Sequence, residues 1–208
     1  DGPIYRDTTG DAIGVAVAGA LAYVATDTSG LAIIDISDPL NPASPVYRDT
    51  AGSAQRVTIA GSYAYVGDAT GGLVVIDISD PLNPGAPTYC GTADQAYDVS
   101  VAGSYAYVAD RDAGIAVIGV SDPASPANPV YCDTSHYSFG IAIAGTYAYV
   151  ADGESGLSII GISNPLSPAT PVYRETLGYA NDVAVAGSYA YVAREDQYVT
   201  LTTGLAII

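Results

Sequence analysis

The sequence predicts an all-β protein, a five-bladed β-propeller whose blades are four-stranded antiparallel sheets of 42 residues. One observation is a glycine that recurs at this spacing, as Gly19, Gly61, Gly103, Gly145 and Gly187. A second is that each step contains short runs rich in Val, Ile, Tyr and Ala, separated by turns of hairpin length. A third is that twelve of the thirteen prolines fall in groups between these runs, where no central strand is expected. A fixed period of this length with several strands per unit is typical of a propeller.

The second repeat contains the four strands in order, which we name a to d. Strand a is Arg56–Ala60, and a tight turn at Gly61 leads into strand b, Tyr63–Gly67. An acidic turn separates strand b from strand c, Leu73–Ile78, and a proline-rich connector leads to strand d, Pro87–Thr92. Because the a–b and b–c turns are short, neighbouring strands form antiparallel hairpins. A parallel β-helix also has a fixed period, but it needs shorter coils and lacks hairpin-length turns.

The two ends of the chain complete each other in this scheme. We expect a single domain over residues 1–208, with repeats at about 13–50, 55–92, 97–134, 139–176 and 181–208. The fifth repeat ends at its strand c, Gly204–Ile208, whereas Pro3–Thr8 has the sequence of a strand d with no a, b or c before it. We therefore predict that Pro3–Thr8 pairs with the last blade and closes the ring, which removes both free sheet edges.

The charge balance limits the partners of this chain. It has 22 acidic residues, six arginines and no lysine, for a formal net charge of −16. Binding of nucleic acid requires clustered cations that displace counterions, so nucleic acid is not an expected partner. The apolar runs are only a few residues long, and we expect no insertion into a membrane. Such a charge suits a soluble surface, a high-salt setting or a surface that collects cations.

The repeats carry a specific combination of motifs, with YVAD or YVGD followed by GL, IIDISDP or a variant of it, and NP. In YVGDATGGLVVIDISDPLNPGAPT and YVADGESGLSIIGISNPLSPATPV this combination resembles the LVIVD repeat, and the resemblance covers all five units. It implies propeller blades in a bacterial or archaeal protein that is exported or attached to the cell surface, and it implies no catalytic motif. Gly119 and Gly161 depart from the motif, as does the last b–c turn. The chain begins at Asp1 and has no methionine, so we expect that an initiator has been lost, either with a signal peptide or by cleavage from a larger precursor or a tag.

One face of the propeller is the expected place for a binding site. In a propeller the b–c turns and d–a segments lie on this face, and the a–b turns and c–d connectors lie on the other. The d–a segments keep their spacing while their sequences diverge, which favours a binding site at the mouth of the central channel. The candidate residues are Asp11, Arg56, Tyr97, Asp98, His136, Tyr137, Phe139, Tyr179, Asn181 and Asp182. The alternative is that these solvated loops diverge without any function.

Two b–c turns are candidates for a metal site. DRDAG and DGESG place two carboxylates two residues apart, as Asp110 and Asp112 in the first turn and Asp152 and Glu154 in the second. This spacing loosely resembles a calcium loop, although calcium requires six to eight oxygen ligands and neither turn contains the others. The alternative is that these are acidic hairpin turns without a metal.

Catalysis has little support in the sequence. His136 is the only histidine, and no serine lies in a nucleophile-elbow motif. We expect a non-catalytic extracellular module without a cofactor, which binds a protein or glycan partner or builds part of a larger assembly. The alternative is a carbohydrate-active enzyme, because Asp98 and Asp182 lie two blades apart and could face each other across the channel mouth like glycosidase carboxylates.

Overall fold

The structure is a computed structural model that describes residues 4–195 and 204–208. These residues form nineteen β-strands in five antiparallel sheets, four sheets of four strands and one of three. Within these two ranges, no helix is long and apolar enough to cross a membrane.

Each sheet is one blade, and its strands follow the order of the chain from the central channel outward. The strands a, which line the channel, are β1 (Gly14–Ala18), β5 (Arg56–Ala60), β9 (Asp98–Ala102), β13 (Gly140–Ala144) and β17 (Tyr179–Ala186). The strands b are β2 (Leu21–Ala25), β6 (Tyr63–Gly67), β10 (Tyr105–Ala109), β14 (Tyr147–Ala151) and β18 (Tyr189–Glu195).

The outer half of each blade contains strands c and d. The strands c are β3 (Leu31–Asp35), β7 (Leu73–Asp77), β11 (Ile115–Gly119), β15 (Leu157–Gly161) and β19 (Gly204–Ile207). The strands d are β4 (Val46–Arg48), β8 (Thr88–Cys90), β12 (Val130–Cys132) and β16 (Val172–Arg174). Blades 1 to 4 therefore begin with β1, β5, β9 and β13, and blade 5 consists of β17, β18 and β19.

The core lies between the blades. In one cluster, Leu31 and Ile33 of strand c in blade 1 pack with Val57 and Ile59 of strand a in blade 2. Equivalent clusters join blades 2 and 3, blades 3 and 4, and blades 4 and 5. Apolar side chains on alternating positions of the strands are thus shared between neighbouring sheets, and burial of this surface stabilises the stack.

The predicted five-bladed propeller of antiparallel sheets is confirmed. The residues observed in strands a to c of the second repeat match the prediction to within one residue, and its strand d is shorter, Thr88–Cys90. Most of the last b–c turn lies outside the described residues. The pairing of Pro3–Thr8 with the last blade stays a prediction, because residues 4–8 form no strand and β19 pairs with β18 alone among the described strands.

Two glycines of blade 3 allow a matched test of backbone conformation and crowding. Gly103 in the a–b turn and Gly114 in the b–c turn have positive φ angles of 57° and 74°. A Cβ at Gly103 would meet no atom within 4 Å, whereas a Cβ at Gly114 would lie 2.4 Å from the carbonyl oxygen of Cys132.

We expect Gly103→Ala to lower the free energy of unfolding by about 1–2 kcal/mol, the cost of a left-handed backbone at a residue with a Cβ. Gly114→Ala adds overlap with a neighbouring strand, so its loss should exceed about 3 kcal/mol. Urea unfolding of both variants measures the difference. Equal losses would show that crowding at Gly114 is relieved at little cost.

Candidate functional site

The d–a segments between blades 1 and 4 are each held at two points, by the b–c turn of the blade that they leave and by that of the blade that they enter. In the segment between blades 3 and 4, Ser138 forms an isolated β-bridge with Arg111 of blade 3. In the same segment, the main-chain N–H groups of Ser135 and His136 donate to the buried carboxylate of Asp152 in blade 4, both at 3.2 Å. The loops on this face therefore have a fixed frame, although their sequences differ.

The buried aspartates at the start of the b–c turns hold this frame. Asp110 accepts hydrogen bonds from the Thr92 hydroxyl at 2.6 Å and from the N–H groups of Ala93 and Asp94 at 3.0 and 3.2 Å. Burial raises the pKa of Asp110, and these hydrogen bonds oppose the rise. Asp68 is held in the same way by Thr50 and Gly52.

This geometry bears on the four metal candidates. The oxygens of Asp110 and Asp152 accept hydrogen bonds from the protein, whereas Asp112 and Glu154 are exposed at the tips of their turns. Within residues 4–195 and 204–208, no group of three or more His, Cys, Asp or Glu side chains is arranged to hold a metal ion. Glu154 instead approaches His136, with 3.8 Å between its Oε2 and the imidazole Nε2.

Five aromatic side chains from three consecutive d–a segments meet on this face. The ring of Tyr97 contacts that of Phe139 edge to face, with 5.1 Å between the centroids. Phe139 also contacts Tyr137 and Tyr179, at 6.1 and 5.6 Å. His136 lies against Tyr137 at 4.5 Å and against Tyr179 at 5.6 Å. We call these five rings the aromatic cluster. Edge-to-face and tilted contacts at these distances stabilise aromatic pairs.

Residues of two b–c turns lie directly against the aromatic cluster. The guanidinium of Arg111 lies 4.9 Å from the centroid of Tyr137, within the range of a cation–π interaction. At the equivalent position of blade 4, a Cβ on Gly153 would lie 2.4 Å from His136 Nδ1 and 3.2 Å from the ring of Tyr179. The missing side chain of Gly153 therefore makes the space in which these two rings meet.

A cavity of about 230 Å³ adjoins the aromatic cluster at the channel mouth. Its lining combines the rings of Tyr97 and Phe139 with the polar side chains of Gln55, Arg56 and Asn181, and with Ile13. Arg56 donates to the carbonyl oxygen of Ile13 at 2.8 Å, which holds its guanidinium beside the cavity. A few convergent polar groups among apolar walls are the usual composition of a binding site.

The central channel, which begins at this mouth, contains a cavity of about 580 Å³ lined by all five strands a. Asp98 and Asp182 line it at the same position of blades 3 and 5. Asp98 accepts hydrogen bonds from the N–H groups of Val99 at 2.8 Å and Ile141 at 2.9 Å. Burial raises the pKa of Asp98 to about 6. The two N–H donors oppose this rise, the charge of Asp182 adds to it, and the charge of Arg56 opposes it.

The structure thus brings together most of the residues that the sequence singled out. The aromatic candidates form the cluster, Arg56 and Asn181 line its cavity, and Asp98 and Asp182 line the channel. Asp11 is exposed and lines neither cavity. Arg111, Gln55 and Gly153 were not among the predicted residues. The signal for Arg111 and Gly153 was present, because the second position of the b–c turn is Asp27, Ala69, Arg111 and Gly153 in successive repeats.

The comparisons with known proteins agree with this architecture. The family model of the LVIVD repeat matches the chain five times, at residues 9–47, 51–92, 93–134, 137–171 and 177–201. Among proteins with curated functions, none matches this sequence.

Several solved structures have a similar fold at low sequence identity. U3-55K aligns with a TM-score of 0.74 at 11% identity, over 92% of this chain and 60% of that protein. The computationally designed Ika8 protein aligns with a TM-score of 0.67 at 9% identity, over 89% of this chain and 56% of that protein. The designed Ika4 protein aligns with a TM-score of 0.58 at 10% identity, over 76% of this chain and 94% of that protein. The chain spans less than two thirds of U3-55K and Ika8, and these likenesses show the fold alone.

The buried carboxylate of Asp110 can be compared with the exposed one of Asp112 in the same turn. We expect Asp110→Ala to lower the free energy of unfolding by about 1–3 kcal/mol, because one hydroxyl and two N–H donors lose their acceptor. Asp112→Ala should change it by less than about 0.5 kcal/mol. Urea unfolding monitors both variants. A loss for Asp112→Ala as large as that for Asp110→Ala would contradict the role of the buried carboxylate.

The raised pKa of Asp98 predicts a pH-dependent stability. The contribution of a group with a raised pKa in the folded state is fully present below its unfolded pKa of about 4 and is lost as the pH rises through about 6. Between pH 4 and pH 7, wild type should therefore lose about 1–3 kcal/mol more than Asp98→Asn. Unfolding titrations at several pH values measure this difference, and parallel pH profiles would contradict the raised pKa.

Proposed function

This chain belongs to the LVIVD repeat family, and we propose that it is a non-catalytic binding module, exported or displayed at the cell surface, which binds a protein partner at its channel mouth. The observation that carries this proposal is the aromatic cluster with its adjoining cavity. Export and surface display are proposed from the resemblance of the repeats to those of exported and surface-attached proteins.

The fixed frame of the face supports a binding role. The three d–a segments between blades 1 and 4 are each held by a β-bridge and a buried carboxylate, so side chains can change there without moving the main chain. Tyrosine and arginine, which dominate binding energy at protein interfaces, occur together in the contact of Arg111 with Tyr137. Because the rings are already held by mutual contacts, little side-chain entropy is lost when a partner binds.

The charge of the chain indicates the chemistry of the partner. The net charge is −16, and the exposed carboxylates of Asp112 and Glu154 lie in the turns beside the aromatic cluster. A partner with a basic surface would be steered toward this face, and the steering would weaken as salt increases. We therefore assign a basic protein surface as the partner, and a glycan is the alternative that the test includes.

The contacts of Asp98 favour binding over glycosidase chemistry. A general acid must present its proton to the substrate, whereas the two oxygens of Asp98 face the N–H groups of Val99 and Ile141. This carboxylate instead joins blade 3 to blade 4, a structural role that requires no substrate.

Random peptides displayed on phage can identify a ligand for this face. We expect the selected peptides to be basic and to bind more weakly in higher salt. Tyr97→Ala and Phe139→Ala should each weaken binding of a selected peptide at least tenfold, a loss of about 1.4 kcal/mol, as measured by calorimetry. Tyr131→Ala, which alters an exposed ring on strand d outside the aromatic cluster, is the matched control. Thermal unfolding checks that each variant remains folded.

Three results would overturn this proposal. Peptides whose binding depends on Tyr131 and not on Tyr97 or Phe139 would place the site elsewhere. Binding on a glycan array without any selected peptide would favour the glycan alternative. Hydrolysis of a glycan by wild type that is abolished in both Asp98→Asn and Asp182→Asn would show an enzyme.

A further inference from the structure

Arg111 differs from the other five arginines of this chain in its hydrogen bonding. Each of the other five donates to a main-chain carbonyl oxygen; these donors are Arg6, Arg48, Arg56, Arg174 and Arg194. In the part of the chain that the structure describes, no hydrogen bond or ion pair joins the guanidinium of Arg111 to another residue, and its Nε is buried without a partner. A buried donor without an acceptor costs free energy, so the fold does not gain from this guanidinium in the usual way.

The carboxylates on this face do not pair with Arg111. Asp94 accepts the main-chain N–H of Asp112 at 3.0 Å, and Glu154 approaches the imidazole of His136. Among the described residues, no arginine forms an ion pair with an aspartate or a glutamate. The chain has 22 acidic residues and six arginines, so a guanidinium without a carboxylate partner on an acidic face remains available to a ligand.

The b–c turn of blade 3 does not require an arginine at this position. The equivalent residues of blades 1, 2 and 4 are Asp27, Ala69 and Gly153, and all four residues have a positive φ, which is 42° at Arg111. Each of them also forms the isolated β-bridge with the following d–a segment. The same main-chain geometry is thus reached with short side chains. The long cationic side chain of Arg111 therefore serves a contact other than the turn itself.

The guanidinium of Arg111 is held in place while its terminal nitrogens stay free. It lies over the ring of Tyr137 at 4.9 Å, and that ring contacts His136 and Phe139 at 4.5 and 6.1 Å. Its Nε is buried, whereas Nη1 and Nη2 are not among the buried atoms that lack a partner. A guanidinium fixed on an aromatic ring presents its N–H groups in one plane, and a carboxylate accepts two such groups at once.

We propose that Arg111 binds a carboxylate of the partner, either an Asp or Glu side chain or the carboxyl end of its chain. Phosphate groups are usually bound by clusters of arginines, whereas Arg111 has no second arginine in contact with it. The exposed carboxylates of Asp112 and Glu154 also repel a dianion more strongly than a monoanion. The same two carboxylates attract basic groups, so the recognised feature is one acidic group set among basic ones. This assignment rests on the proposed function, because it concerns the partner bound at the aromatic cluster.

Benzoate tests the anion site without a selected peptide, and benzamide is its matched neutral control. Nuclear magnetic resonance follows the arginine Nε–H signals, and Arg111→Asn identifies that of Arg111 because asparagine tolerates a left-handed backbone. We expect benzoate to shift this signal saturably, and benzamide at the same concentration to shift it by less than about a tenth as much. Arg174→Asn, which alters an exposed arginine on strand d, should leave the response unchanged. No shift with benzoate, or equal shifts with both compounds, overturns the proposal.

Peptides selected on this face identify the source of the carboxylate. In one selected peptide each Asp or Glu is replaced by Asn or Gln, and in a second series the carboxyl end is amidated. One of these changes should weaken binding to wild type about tenfold and binding to Arg111→Asn less than about twofold. A loss on amidation alone identifies the chain end, and a loss on one replacement identifies a side chain. Equal losses in both proteins overturn the assignment to Arg111. Peptide binding that ignores Tyr97→Ala and Phe139→Ala contradicts the proposed function instead, whereas the benzoate result does not depend on it.

Stability separates a ligand-binding role of Arg111 from a structural one. Arg111→Asn keeps the conformation of the turn and removes the contact with Tyr137, so the folding equilibrium constant should fall less than about fivefold. Urea unfolding measures this fall beside that of Asp110→Ala in the same turn. A fall for Arg111→Asn as large as that for Asp110→Ala would show that the arginine holds the loop, and this result overturns the proposal.

Discussion

Packing between consecutive blades is the interaction on which the rest of this structure depends. Each blade is a narrow sheet with two apolar faces, and it buries them only against its neighbours. The strand c of one blade and the strand a of the next share one cluster, so the 42-residue step must be kept wherever two blades meet. The loops follow from this constraint, because the junction sets where each d–a segment leaves one blade and enters the next.

The sequence was sufficient for the fold because the signals for its strands are local. Alternating apolar residues, turn glycines such as Gly61 and grouped prolines each act over a few residues, and repetition confirms them five times. The site was predicted as a set of candidate residues at the channel mouth, without the contacts among them. The contact of Arg111 with Tyr137 depends on a β-bridge between distant segments, and no local pattern specifies that bridge. The carboxylate of Asp110, a metal candidate from its spacing, accepts hydrogen bonds from the d–a segment that precedes blade 3, and no local pattern predicts them.

The ends of the chain mark a different limit of sequence reasoning. The repeats in the sequence give the number of blades. The angle between two neighbouring blades depends on many side-chain contacts. A small change in this angle at each junction determines whether blade 5 reaches blade 1. Val15 of blade 1 and Leu205 of blade 5 are exposed in the described structure, whereas their equivalents at the first junction, Val57 and Leu31, are buried. Burial at four junctions follows from the repeat alone, whereas the fifth is a property of the whole molecule.

The single hydrogen atom that serves as the side chain of Gly153 has a consequence for how this scaffold can be reused. His136 and Tyr179 meet because the b–c turn of blade 4 leaves a gap, and the same β-bridge frame is present at the b–c turns of blades 1 to 3. The location of the aromatic cluster therefore depends on a few loop residues rather than on the strands of blades 3 to 5. Transplanting those residues by one repeat length would relocate the cluster around the ring, and a second set would make the module bivalent.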